Sequence, residues 1–95
     1  MGYPLWEAGE EARKSGDYEK AISRFDEARA LGYLAPVLYK SYSMTYGKLK
    51  DIDNEIEILE EGIDRLKNAT YGDYSTGIKD LETRLEKAKK KKTLH

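Results

Sequence analysis

The residues that could carry chemistry in this chain are few and widely spaced. None of the 95 residues is Cys, which removes a thiolate nucleophile, a disulfide framework and any Cys-based metal site. The single His is His95, the last residue, which reads as a solvated end or a cloning remnant rather than a general base. Asp51, Asp53 and Glu55 alternate like the ligands of a calcium loop. Ile56, however, occupies the place of that loop's central Gly, and Gly62 the place of its closing bidentate Glu. An acidic helix start, favoured by the helix dipole, accounts for them better. Neither a GxGxxG nor a GxxxxGK[ST] run is present to cradle a phosphate. The expectation is a protein that is not an enzyme and uses no metal and no cofactor.

The remaining polar features are faces and termini. Glu57, Glu60, Glu61 and Asp64 fall at helical spacing and read as a solvated acidic face. Lys87 and Lys89 to Lys92 form a basic run near the C-terminus, within a segment, residues 70–95, that carries seven basic against four acidic residues. No aromatic or Arg interleaves that run to stack on bases, and lysines suit a helix C-terminus on their own account, so a solvated helix end is preferred to a nucleic-acid contact. Asn68-Ala69-Thr70 matches a glycosylation sequon, but Asn68 is read more simply as a helix-end residue. Over the whole chain 17 basic residues face 18 acidic ones, so no global field steers it to nucleic acid or membrane. No apolar run reaches the roughly 18 residues of a membrane span, and no signal-peptide core is present, which points to a soluble, cytoplasmic protein.

The elements that must position these residues are helices. Apolar residues recur at three- and four-residue spacing, and the interruptions carry helix-ending chemistry. The first helix opens at Pro4 and closes near Ser15-Gly16. The second starts behind Asp17 and runs through Ile22, Phe25 and Ala28 to Gly32. A third opens at Pro36, carries Leu38, Tyr39, Tyr42 and Tyr46, and stops between Gly47 and Lys50. Asp51 then caps a fourth with Ile52, Ile56, Leu59 and Ile63, which breaks at Asn68 to Gly72. A fifth begins after Asp73, shows Tyr74, Ile78, Leu81, Leu85 and Ala88 on one stripe, and frays from Lys89 onward.

Self-comparison at an offset of 34 pairs Leu5 with Tyr39, Ala8 with Tyr42, Ala12 with Tyr46, Asp17 with Asp51, Ile22 with Ile56 and Phe25 with Leu59 without gaps. A 34-residue helix–turn–helix with small Gly9, then Gly16-Asp17-Tyr18, then Ala21, Phe25 and Ala28, resembles the tetratricopeptide repeat (TPR). The first unit departs at the family's Trp, Leu and Tyr positions, held here by Leu5, Ala8 and Ala12, as suits a terminal repeat with no preceding neighbour. The second unit keeps bulk through Tyr39, Tyr42 and Tyr46, but has Glu55 where the family prefers Ala and Lys50 where it prefers Gly, which predicts a looser turn and crossing. The resemblance implies an all-α, right-handed superhelical array in one domain over residues 1–95: repeats at 2–35 and 36–69, a capping helix at 73–92 and a disordered tail at 93–95. The cap meets a physical need, since each hairpin leaves an apolar face that the next element must cover.

The resemblance also implies that the first helix of each hairpin lines a concave groove. On that reading Trp6, Glu10 and Arg13 face a ligand from the first helix and Val37, Lys40 and Met44 from the third, with Ser75, Lys79 and Glu82 completing the floor. Trp6 is the expected anchor; packing beside Leu5 or under the N-terminus is the alternative, of equal weight. The Lys and Asn side chains with which chaperone-binding TPRs clamp a C-terminal carboxylate are replaced here by Trp6, Glu10 and Ser41, which argues against that activity. Lys40 and Arg13 still leave room for an acidic peptide. The partner expected is a protein or peptide segment. Self-association, as a homodimer using the tyrosine-rich and terminal faces, is the second reading. Nucleic-acid contact ranks third and catalysis last.

Overall fold

The computed structural model describes residues 2–70 and 72–94, which form five α-helices and, among the described residues, no strand. They are α1 (Tyr3–Lys14), α2 (Tyr18–Ala30), α3 (Pro36–Lys48), α4 (Ile52–Lys67) and α5 (Ser75–Thr93). Pro4 and Pro36 occupy the first turns of α1 and α3, where a missing amide hydrogen costs nothing. Asp17 accepts from the Lys20 amide at 3.2 Å, and Asp51 accepts from the Asn54 amide at 3.3 Å and from its side chain at 2.7 Å. Each cap satisfies an amide that the first helical turn leaves free. Asp73 accepts from the Ser75 amide at 3.0 Å and starts α5 in a similar way.

The two hairpin turns repeat atom for atom at the 34-residue offset. Asp17 N donates to Ala12 O at 2.8 Å and Gly16 N to Arg13 O at 3.1 Å; Asp51 N donates to Tyr46 O at 3.0 Å and Lys50 N to Gly47 O at 3.1 Å. This pattern closes a helix with one residue in the left-handed region. Gly16 takes that role at φ 88°, and Lys50 takes it at φ 58° despite its side chain. The looser second turn expected from Lys50 is therefore not found: the hydrogen bonds hold the geometry, and the chain carries an unfavourable backbone conformation instead.

Helices α1 and α2 pack as one antiparallel hairpin and α3 and α4 as the next, with α5 laid against α4 and α3. α1 touches α3 and α3 touches α5, so these three form one layer, backed by α2 and α4. Phe25, Leu38, Tyr39, Tyr42, Leu59 and Leu81 are fully buried between the layers, each contributing about 1.5–3 kcal/mol of hydrophobic stabilisation. Glycines set the crossings. A Cβ on Gly9 would lie 2.5 Å from the Phe25 ring, one on Gly62 2.5 Å from Tyr39, and one on Gly77 2.5 Å from Pro36.

Tyrosine supplies much of the centre, and the hydroxyls of its two fully buried members, Tyr39 and Tyr42, both find carboxylates. Phe25 and Tyr42 stand 5.4 Å apart between ring centroids, and Tyr42 and Tyr46 stack at 5.9 Å with planes 9° apart. The Tyr39 hydroxyl donates to Glu61 at 3.0 Å, and the Tyr42 hydroxyl donates to Asp26. Glu61 in turn receives both guanidinium arms of Arg29, one at 2.7 Å, which joins α2, α3 and α4 through one carboxylate. Arg29 beside it holds the Glu61 carboxyl below its ordinary range. Burial, reinforced by Glu61, pushes the Tyr39 phenol up to about 12, and burial with Asp26 raises Tyr42 as well.

α5 differs from expectation at its end. The helix continues through Thr93 rather than stopping at 92 or fraying from Lys89, because its lysines find partners on α4. Lys92 meets Asp53 at 2.8 Å, Lys91 meets Glu55 at 3.3 Å and Lys89 meets Glu60 at 3.7 Å, while Lys67 on α4 meets Glu82 at 3.2 Å. The basic run thus lies along carboxylates of the antiparallel α4, of which Glu60 alone belongs to the acidic face expected there; Glu61 of that face turns to Arg29 instead. His95, the end of the predicted disordered tail, lies outside the described residues.

Candidate functional site

The face formed by α1, α3 and α5 gathers the residues singled out in the sequence. The three helices run in the same direction, as shown by contacts that climb together: Trp6 meets Val37 and Ser41, Pro36 meets Gly77, and Met44 shares a cavity with Arg84. Their starts make one end of the face and their C-termini the other.

Trp6 is half-buried, with the Tyr3 ring 5.5 Å away. Its indole N–H is shared between the Val37 carbonyl and the Ser41 hydroxyl, each at 3.2 Å. The indole therefore fastens α1 to α3 across the hairpin boundary, a role neither of the two sequence readings contained. Ser41 is nearly fully buried, at 3 % exposure, and was missed as a site residue. The signal available was its place one turn after Val37, on the α3 side that must meet α1.

Glu10 and Arg13 are one turn apart on α1 and close a two-bond ion pair, Nε to Oε1 at 2.7 Å and Nη2 to Oε2 at 2.9 Å. Both side chains are about four-fifths covered, which makes the pair more ordered than an ordinary surface bridge. Arg13, helped by the Ser41 hydroxyl, holds the Glu10 carboxyl low, and Glu10 raises Arg13. Trp6, Ser41, Glu10 and Arg13 form one polar seam along the α1–α3 contact. Arg13 is accordingly committed to Glu10 and is not a free cation.

On α3, Val37 is 41 % exposed, Lys40 is exposed with no ion pair among the described residues, and Met44 is half-buried. Met44 borders a cavity of about 160 Å³ that it shares with Ser43, Gly47, Glu55, Arg84, Lys87 and Lys91. An adjoining cavity of about 290 Å³ adds Lys50 and Ile52 to Gly47, Glu55 and Lys91. α5 therefore presents Arg84 and Lys87 beside Met44. Of the floor residues expected from it, Glu82 turns to Lys67 on α4, and Ser75 and Lys79 line neither cavity. The cause is register. α4 is a turn longer than α2, and α5 begins only at Ser75, so Gly77, with no side chain, becomes the residue that crosses Pro36.

The calcium-like triplet resolves into three separate tasks: Asp51 caps α4, Asp53 pairs with Lys92 and Glu55 with Lys91. Asn68 closes α4, its side-chain amide donating to the Asp64 carbonyl at 2.8 Å. A larger cavity of about 570 Å³ lies between the two inter-hairpin linkers, against Leu31, Tyr33, Arg65, Asn68 and Tyr74, and reaches Gly2 at the start of α1. Among the described residues no helix is long and apolar enough to cross a membrane. Compared with protein-family models, with curated proteins and with solved structures, the chain gives no match.

Proposed function

We propose that this protein is a TPR-like helical repeat module, two hairpins and a capping helix, that binds a segment of another protein on the face of α1, α3 and α5. The observation that carries the reading is the turn repeated with the same hydrogen bonds at the 34-residue offset, which makes α1 and α3 equivalent first helices lying side by side. On that shared face Trp6, Val37 and Met44 supply adaptable apolar contact and Lys40 an unpaired charge, a combination suited to a chain segment rather than to a reaction. Self-association is the weaker reading, because Tyr39 and Tyr42 are consumed in the core and their hydroxyls are satisfied there.

The sole Trp lies on the proposed face and reports on it directly. Twelve-residue peptides selected by display against the intact protein are expected to alter Trp6 emission on titration and to lose at least tenfold in affinity for Val37→Glu. Light scattering across a hundredfold concentration range should show a monomer. Selected peptides that leave Trp6 emission and the Val37→Glu affinity unchanged would refute binding on this face. A stable dimer would transfer the proposal to self-assembly.

A further inference from the structure

Building on the binding face proposed above, we infer that its partner is an acidic segment carrying an apolar anchor, held in one orientation: the anchor against Tyr3, Trp6 and Val37, the carboxylates against Lys48 and Lys87. The two ends of the face differ in kind. At the helix starts, Tyr3 is 51 % exposed and Val37 41 % exposed beside the half-buried Trp6. At the C-terminal end, Arg84 and Lys87 border the Met44 cavity, and Lys48 follows Met44 by four residues on the same side of α3. The charged residues that border the Met44 cavity are Arg84, Lys87, Lys91 and Glu55, the last answered by Lys91 at 3.3 Å, and Lys40 and Lys48 stand exposed on α3.

Which charges are already answered decides the matter. Glu10 is taken by Arg13, and Asp80 by Arg84 at 3.0 Å. The other lysines of α5 with nearby carboxylates are spent on α4. Lys40, Lys48 and Lys87 have no ion pair among the described residues, so the positive surplus falls where a bound segment would lie. Complementary charge of this kind steers encounter and fixes register. Val37 and Lys48 are separated by about 16 Å along α3 at helical rise, which an extended segment covers in about five residues. An anchor and its acidic residues spaced by that interval fit; the reverse order does not.

The test is the composition and the mapping of the display-selected peptides. The expected result is enrichment in Asp and Glu about five positions from an aromatic or aliphatic residue, with affinity falling at least tenfold for the double variant Lys48→Glu, Lys87→Glu and severalfold between 50 and 300 mM salt. A spin label on the acidic end should broaden the Met44 methyl more than the Trp6 indole resonance, and a label on the anchor end the reverse. Circular dichroism melts confirm that the exposed-site double variant is folded. Peptides that depend on Val37 but show no acidic enrichment and bind the double variant equally well would leave the face intact and overturn the inference. Peptides insensitive to Val37→Glu would overturn both. Broadening in the opposite sense would overturn the orientation.

Discussion

The two hairpins share a turn and differ in what fills them. The first closes on Gly16 and packs small residues, Gly9, Ala12, Ala21 and Ala28, around Phe25; the second closes on Lys50 and packs Tyr39, Tyr42 and Leu59. Equivalent backbone hydrogen bonds in both turns show that the geometry is carried by the capping pattern, not by any one residue type. The difference lies in cost and in reach. The first hairpin uses the residue its turn wants, and its Glu27 pairs with Arg24 one turn away on the same helix. The second tolerates a strained Lys50 and uses Glu61, 34 positions after Glu27, to tie three helices together.

The comparison breaks first at the crossings. Gly62→Ala would put a Cβ against the base of the Tyr39 ring, and a cost of about 2–3 kcal/mol is expected from overpacking. Gly47→Ala meets nothing nearer than 3.7 Å and should instead stabilise by about 0.5–1 kcal/mol, as Ala normally does over Gly in a helix. Opposite signs in urea titrations of the two variants would confirm that Gly62 serves close approach.

Tyrosine in the second hairpin should also make stability fall in alkali. Tyr39 binds its proton more tightly folded than unfolded, so its contribution is complete below pH 10 and is lost as pH rises toward about 12. The loss is on the order of 2 kcal/mol, and Tyr39→Phe should remove it; an unchanged alkaline limb in that variant would exclude Tyr39 as its source. The first hairpin has Leu5 at the matching position, with no phenol there to titrate.

Glu61→Gln should cost about 1–2 kcal/mol, allowing for the partial exposure of Arg29, whereas Glu27→Gln should stay within about 0.5 kcal/mol. The Glu61 carboxyl is held low when folded, so this contribution is present above the ordinary carboxylate range and declines as pH falls through its depressed value. Smallest is the turn itself. Lys50→Gly should raise stability by about 1 kcal/mol and Gly16→Ala lower it by a similar amount, and two changes of the same sign would contradict the equivalence of the turns.

Much of the fold was legible because its punctuation is local. Pro4, Pro36, Asp17 and Asp51 set helix starts within a turn of themselves, and the 34-residue offset exposed the paired hairpins before any contact was known. What escaped depends on distances that no local pattern encodes. The register of α5 was extrapolated from the spacing of the earlier units, but the longer α4 and the crossing of Gly77 over Pro36 shift it, so that Arg84 and Lys87 take the places expected of Lys79 and Glu82. The lysine run is solvated as expected, but its pairing along α4 has no local mark, because the carboxylate partners are about thirty to forty residues away in sequence. Whether Trp6 packs or is presented depends on Ser41, a small polar residue whose only mark in the sequence is its place one turn after Val37.

The proposed binding of a partner segment on the face of α1, α3 and α5 is tested by titrating a display-selected peptide into isotope-labelled protein and following backbone amides and the Met44 methyl. Saturable shifts concentrated at Trp6, Val37, Lys40, Met44 and Lys87 are expected. Shifts confined to the outer helices α2 and α4 would contradict it.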